Sequence, residues 1–129
     1  MIKLTIPIEP VAKGRPRAAV IGSSARIYTP TKTRNTEALI RTLAMNATSD
    51  KYEAGTPLKV TANFYIEKPK SAKREYPTVK PDLDNYIKLT LDSLNGYLFY
   101  DDAQIIELVI GKYYGTPRID ITIEEVNNE

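Results

Sequence analysis

The 129-residue chain contains no cysteine and no histidine. Disulfides, thiolate nucleophiles, imidazole bases and the usual zinc ligands are thereby excluded. Any metal must be held by oxygen, which points to Mg²⁺, Mn²⁺ or Ca²⁺. Apolar runs are short: none approaches the roughly 18 residues of a membrane span, so no membrane partner is expected. The N-terminal stretch MIKLTIPIEP lacks the apolar core of a secretory signal, and the expected location is cytoplasmic. A chain of this length is read as one domain over 1–129, able to bury one core.

The net charge of +2 is small, but its signs are sorted. Residues 1–34 carry Lys3, Lys13, Arg15, Arg17, Arg26, Lys32 and Arg34 against Glu9 alone. Residues 68–80 add Lys68, Lys70, Lys73, Arg74 and Lys80 against Glu75. Between 81 and 107 the sign reverses, with Asp82, Asp84, Asp92, Asp101, Asp102 and Glu107 against Lys88. Such sorting fits a basic surface beside an acidic pocket; it also fits ordinary solvated faces.

Periodicity gives a coarse order of elements. Residues 2–8 alternate and read as a strand, and 18–30 as a hairpin about Gly22–Ser23–Ser24. Thr29 or Thr31 is placed to cap a helix running to about Ala47. Residues 58–67 are the clearest strand, 68–81 a basic loop, and 83–94 a helix stopped by Asn95–Gly96. Two strands, 103–114 and 118–126, close the chain. This order predicts a mixed α/β (α+β) fold, a small mixed sheet with two main helices packed on it.

The segment KPDLDNYIKLTLDSLNG (80–96) holds the chemistry. Leu83, Ile87, Leu91 and Leu94 form its apolar face, and Asp84, Lys88 and Asp92 recur every fourth residue as a polar stripe beside it. In an extended approach Asp82 and Asp84 point to one side, where two carboxylates repel unless a cation intervenes. Taken alone, Asp84 could equally be a helix cap and Lys88 a surface ion-pair partner. A second acidic stretch, YDDAQI, follows within a few residues. If the next strand packs alongside, Asp101 or Asp102 could approach the same site. Three or four carboxylates with a lysine suit a hard divalent ion and metal-assisted phosphodiester hydrolysis.

These residues resemble the signature of the RusA family of Holliday junction resolvases. The family pattern runs Pro-Asp-x-Asp-Asn-x-x-Lys, then Asp, Leu and Gly, then Asp-Asp-x-Gln-Ile or -Val. Here it is carried by Pro81, Asp82, Asp84, Asn85, Lys88, Asp92, Leu94, Gly96, Asp101, Asp102, Gln104 and Ile105. KGRPR (13–17) is similar to the family's basic motif near the N-terminus. The resemblance implies a RusA-like fold and a Mg²⁺-dependent endodeoxyribonuclease, with Mn²⁺ as an alternative metal. It would cut four-way DNA junctions in recombination and repair, act as a homodimer, and be of a kind often encoded by phages and prophages.

By the same resemblance the metal ligands map to Asp82, Asp84 and the Asp101–Asp102 pair, with Asp102 the principal one of that pair. The functional lysine maps to Lys88. Asn85, Asp92 and Gln104 are expected to support these residues from behind. Lys13, Arg15, Arg17, Lys70, Lys73 and Arg74 are the candidate DNA contacts. Tyr76, Tyr97, Phe99 and Tyr100 could stack on bases or belong to a core or interface. The rival readings are another divalent-metal enzyme acting on phosphate compounds, and a branched-DNA-binding module without catalysis.

Overall fold

A computed structural model describes residues 1–14, 17–21, 24–28 and 30–127; within 17–28 it describes backbone pairing only. The elements run β1 (Ile2–Ile6), β2 (Arg17–Ile21), β3 (Ser24–Tyr28), α1 (Thr31–Ala47), β4 (Leu58–Ile66), α2 (Leu83–Leu94), β5 (Ile105–Tyr114) and β6 (Arg118–Glu125). A short 3-10 turn, Asp102–Gln104, leads into β5. The main sheet has the order β1-β6-β4-β5, and β2 with β3 forms a separate antiparallel ribbon. The expected mixed sheet carrying two helices is what the chain forms.

Alternation in the sequence decides which face is covered. Ile2, Leu4 and Ile6, then Leu58, Val60, Ala62 and Phe64, then Ile119, Ile121 and Ile123 all turn to one side and are buried. Ile40 and Ala44 of α1 and Ile87, Leu89 and Leu94 of α2 complete one continuous core with them. Each buried Ile, Leu, Val or Phe among them stabilises the fold by about 1.5–3 kcal/mol through removal from water.

Strand β5 departs from this pattern. It pairs with β4 in parallel, so the chain leaves β4, crosses through α2 and returns alongside. Its other edge has no strand neighbour among the described residues. There Ile106, Leu108 and Val109 are 60%, 42% and 51% exposed, an apolar edge left in water.

Helix ends show where local chemistry was and was not legible. Pro30 holds the N-cap position of α1 with no side-chain cap; Thr31 is the first helical residue, and Thr29 lies outside the described residues. Gly96 takes φ 84°, which supports the expected stop after α2. The buried stripe of α2 is broader than the leucines alone predict. Tyr86, Thr90 and Ser93 are buried with Ile87, Leu89 and Leu94, while Leu83 and Leu91 are only half-buried. The Thr90 and Ser93 hydroxyls are both satisfied within their own helix. Thr90 Oγ1 donates to the Tyr86 carbonyl at 3.1 Å and Ser93 Oγ to that of Leu89 at 2.7 Å.

Candidate active site

Helix α2 sorts the predicted site residues along its length. Asp82 is its N-cap and Asp84 lies in its first turn; both are exposed. Lys80 Nζ donates to Asp82 Oδ1 at 2.7 Å. That bond, with the charges of Lys80 and the more distant Lys112, holds the Asp82 carboxyl below the usual carboxylate range. Lys112 of β5 also donates to the carbonyls of Val79 and Pro81, at 2.7 and 3.1 Å. It thereby fixes the turn that presents Asp82.

The second acidic group lies past the other end of α2. The Asp102 carboxyl is pushed up, first by its hydrogen bond with Asp101, then by burial and by the charges of Asp101 and Asp92; Lys88 opposes the shift. Two adjacent carboxylates held this way repel when both are ionised, and a cation would relieve them. Gln104 fixes the turn they stand on. Its carbonyl oxygen accepts from the backbone N–H groups of Tyr100 and Asp101, at 2.9 and 3.0 Å. Its amide nitrogen donates to the carbonyls of Glu53 and Thr56, at 2.8 and 3.0 Å. Gln104 is thus a latch between two loops.

The charges around the two acidic groups differ: Asp82 feels Lys80 and Lys112, and Asp102 feels Asp101, Asp92 and Lys88. Among the described residues no three acidic side chains are grouped to hold a metal. The chain does turn straight back along α2, as its short connection requires, but it does so at the helix C-terminus. The turn therefore brings Asp102 towards Asp92 and Lys88. The donors still fit a hard cation as pairs, because Mg²⁺ commonly takes one or two carboxylates plus water and substrate phosphate.

Lys88 is exposed, and its ammonium lies 3.9 Å from the Asp92 carboxylate. Asp92 also receives Lys13 at 3.1 Å, and Lys13 reaches Glu37 of α1 at 2.9 Å. The Lys13 backbone N–H donates to the Asn85 carbonyl at 2.9 Å. Lys13, a candidate DNA contact, is thus turned inward to tie both helices together. Gly14 follows because a Cβ there would lie 2.6 Å from the Thr33 hydroxyl, which accepts its N–H at 3.0 Å. Arg15, and the side chain of Arg17, lie outside the described residues. Lys70, Lys73 and Arg74 are exposed on the irregular 67–82 loop. Phe99 is fully buried and belongs to the core, whereas Tyr76, Tyr97 and Tyr100 are exposed.

A larger cavity, about 830 Å³, opens beside the start of α2 between Glu9, Val11, Lys32, Pro81 and Tyr86. None of the predicted carboxylates lines it. Lys112 is the residue that motif reading passed over. Its signal was a lysine between Ile110 and Tyr114 on the inward side of β5, in register with the buried Phe64.

The model of the family described as endodeoxyribonuclease RusA matches residues 7–124. The chain belongs to the RusA family. The match spans both acidic groups, the basic loop and Lys13. Among relatives, an uncharacterized protein of Bacillus subtilis (strain 168), YqaN, is 32% identical over 98% of this chain and 97% of its own length. A protein of Lactococcus phage r1t named crossover junction endodeoxyribonuclease rusA is 35% identical over 71% of this chain and 72% of its own.

Proposed function

We propose that this RusA-family chain is a Mg²⁺-dependent endodeoxyribonuclease that resolves four-way DNA junctions by paired, symmetric cuts. The observation that carries the reading is exposed Asp82 at the N-cap of α2 with exposed Asp84 and Lys88 one turn apart on the helix, within a chain the endodeoxyribonuclease family model matches almost throughout. The phage relative's name supports the junction as substrate.

When bound, the metal supplies an activated water and charge stabilisation at the scissile phosphate. Asp82 and Asp84 are the groups that would hold it on one side. Asp101 and Asp102 serve the same purpose at the far end of α2. Lys88, standing between them, neutralises charge that develops on the phosphate.

The exposed apolar edge of β5 favours a dimer. Antiparallel pairing of the open β5 edges about a two-fold axis would cover Ile106, Leu108 and Val109. It would also set the Lys112 end of one copy beside the Ile105 end of the other. Asp82 and Asp84 of one copy then approach the Asp101–Asp102 turn of the second, and two such sites form. A four-way junction has the same two-fold symmetry.

The test is incubation of purified protein with a synthetic four-way junction and a matched linear duplex, with and without Mg²⁺. Metal-dependent cleavage confined to the junction is expected. Metal-dependent turnover of small phosphate compounds, with no junction cleavage, would replace this reading with a general phosphohydrolase. Tight junction binding without cleavage in Mg²⁺ or Mn²⁺ would replace it with a binding module.

A further inference from the structure

Two clefts meet beside Asp82. The first, about 490 Å³, is lined by Thr78, Val79, Lys80, Asp82 and Lys112. The second, about 410 Å³, shares Thr78 and Val79 with it and continues past Lys73, Arg74, Tyr76 and Tyr114. No carboxylate lines the second cleft; cations and phenol rings do. Tyr76 and Val79 are each 56% exposed, although buried Pro77 lies between them in sequence and anchors the loop. Arg74 is oriented by a neutral hydroxyl, that of Thr78 at 3.4 Å, and no ion pair engages Lys73 or Arg74 among the described residues. A third cation, Lys68, stands 5.8 Å from the Tyr114 ring. Lys112 pins the shared floor through the carbonyls of Val79 and Pro81, so the cleft is fixed relative to Asp82.

Cations beside exposed rings select for more than phosphate. Paired duplex bases keep their faces stacked on one another, so a duplex can satisfy the lysines and leave the tyrosines idle. An unpaired nucleotide offers a phosphate and a free base face together, and stacking on an aromatic side chain tolerates any base. We propose that this cleft is a subsite for unpaired nucleotides in the strand that leads to the Asp82 end of α2. Their bases stack on Tyr76 and Tyr114 and their phosphates lie on Lys73 and Arg74. The site favours DNA whose strands have opened at a branch. The inference rests on the nuclease reading for the role of Asp82, but the binding it describes needs neither metal nor cleavage.

The experiment uses the full chain without metal. A short oligothymidylate carrying one 5-iododeoxyuridine is irradiated with the protein and the cross-linked peptide identified by mass spectrometry. In parallel, affinities for oligothymidylate and for a matched duplex are measured by fluorescence anisotropy for wild type, Tyr76→Ala and Tyr76→Phe. Tyr76 is exposed, so neither change disturbs the core. Cross-links at Tyr76 or Tyr114 are expected. Tyr76→Ala should weaken oligothymidylate binding about ten-fold, with Tyr76→Phe and duplex binding unchanged. Cross-links confined to other segments, or equal losses for single strand and duplex, would overturn the subsite. Because the readout is binding alone, it can fail while junction cleavage stands, and the reverse.

Discussion

Lys13 and Asp92 meet at 3.1 Å, and the same carboxylate oxygen lies 3.9 Å from Lys88. One acid therefore serves two lysines with different surroundings. Lys13, half-buried, binds Glu37 as well and joins the residues before β2 to both helices. Lys88 is exposed and free to move towards a phosphate.

Removing Lys13 should cost stability more than DNA affinity. Lys13→Met leaves Glu37 and Asp92 facing each other without their cation, a loss of about 1–3 kcal/mol by urea denaturation. Burial alone would lower the Lys13 pKa, but hydrogen bonds and charges from Glu37 and Asp92 outweigh it and leave the pKa raised. Its contribution is thus complete at neutral pH and is lost only as pH rises through that raised value in alkali. Unchanged stability with a large loss of junction affinity would return Lys13 to the DNA surface.

Lys88 should behave in the opposite way. If it stabilises charge in the transition state, Lys88→Ala lowers the single-turnover rate about 10²–10³-fold while barely changing the junction Kd measured in Ca²⁺. An exposed ion pair with Asp92 alone contributes roughly 0–1 kcal/mol, so a loss of about five-fold or less would remove it from catalysis.

The raised Asp102 carboxyl fixes the sign of the pH dependence. A ligand must be ionised, so cleavage should fall as pH drops through a value above the ordinary carboxylate range. Asp92→Asn removes one of the charges that raise the Asp102 carboxyl and leaves the proposed ligands in place. The acid limb of log kcat/KM against pH should then move to lower pH. A limb that stays in place means Asp102 does not control it.

Dimerisation through the open edge predicts that Val109→Lys yields a monomer by light scattering at micromolar concentration and loses junction cleavage. Lysine on an edge strand discourages pairing. A dimer of unchanged stability would place the interface elsewhere.

Much of this architecture could be read from local patterns. Strict alternation in 58–66 and 118–125 marked both inner strands, and the leucines of 83–94 with Gly96 marked α2 and its end. Pairing was not legible, because parallel contact between β4 and β5 depends on where the chain crosses, not on any local pattern. Hence the acids could be assigned to the start of α2 and to the turn that follows it, while which charges face each of them was hidden. Lys13 reads as one cation in a basic run; only the packing of α1 against α2 turns it inward. The latch made by Gln104 likewise needs Glu53 and Thr56, which are distant in sequence.

The most direct measurement compares wild type with Asp82→Asn and Asp84→Asn on a synthetic four-way junction in Mg²⁺, with the Kd taken in Ca²⁺. Each change removes a ligand charge and nearly preserves shape. Symmetric junction cleavage by wild type, none by either variant, and junction affinity equal to or slightly above wild type are expected. Cleavage by either variant near the wild-type rate would mean that the substituted residue holds no metal.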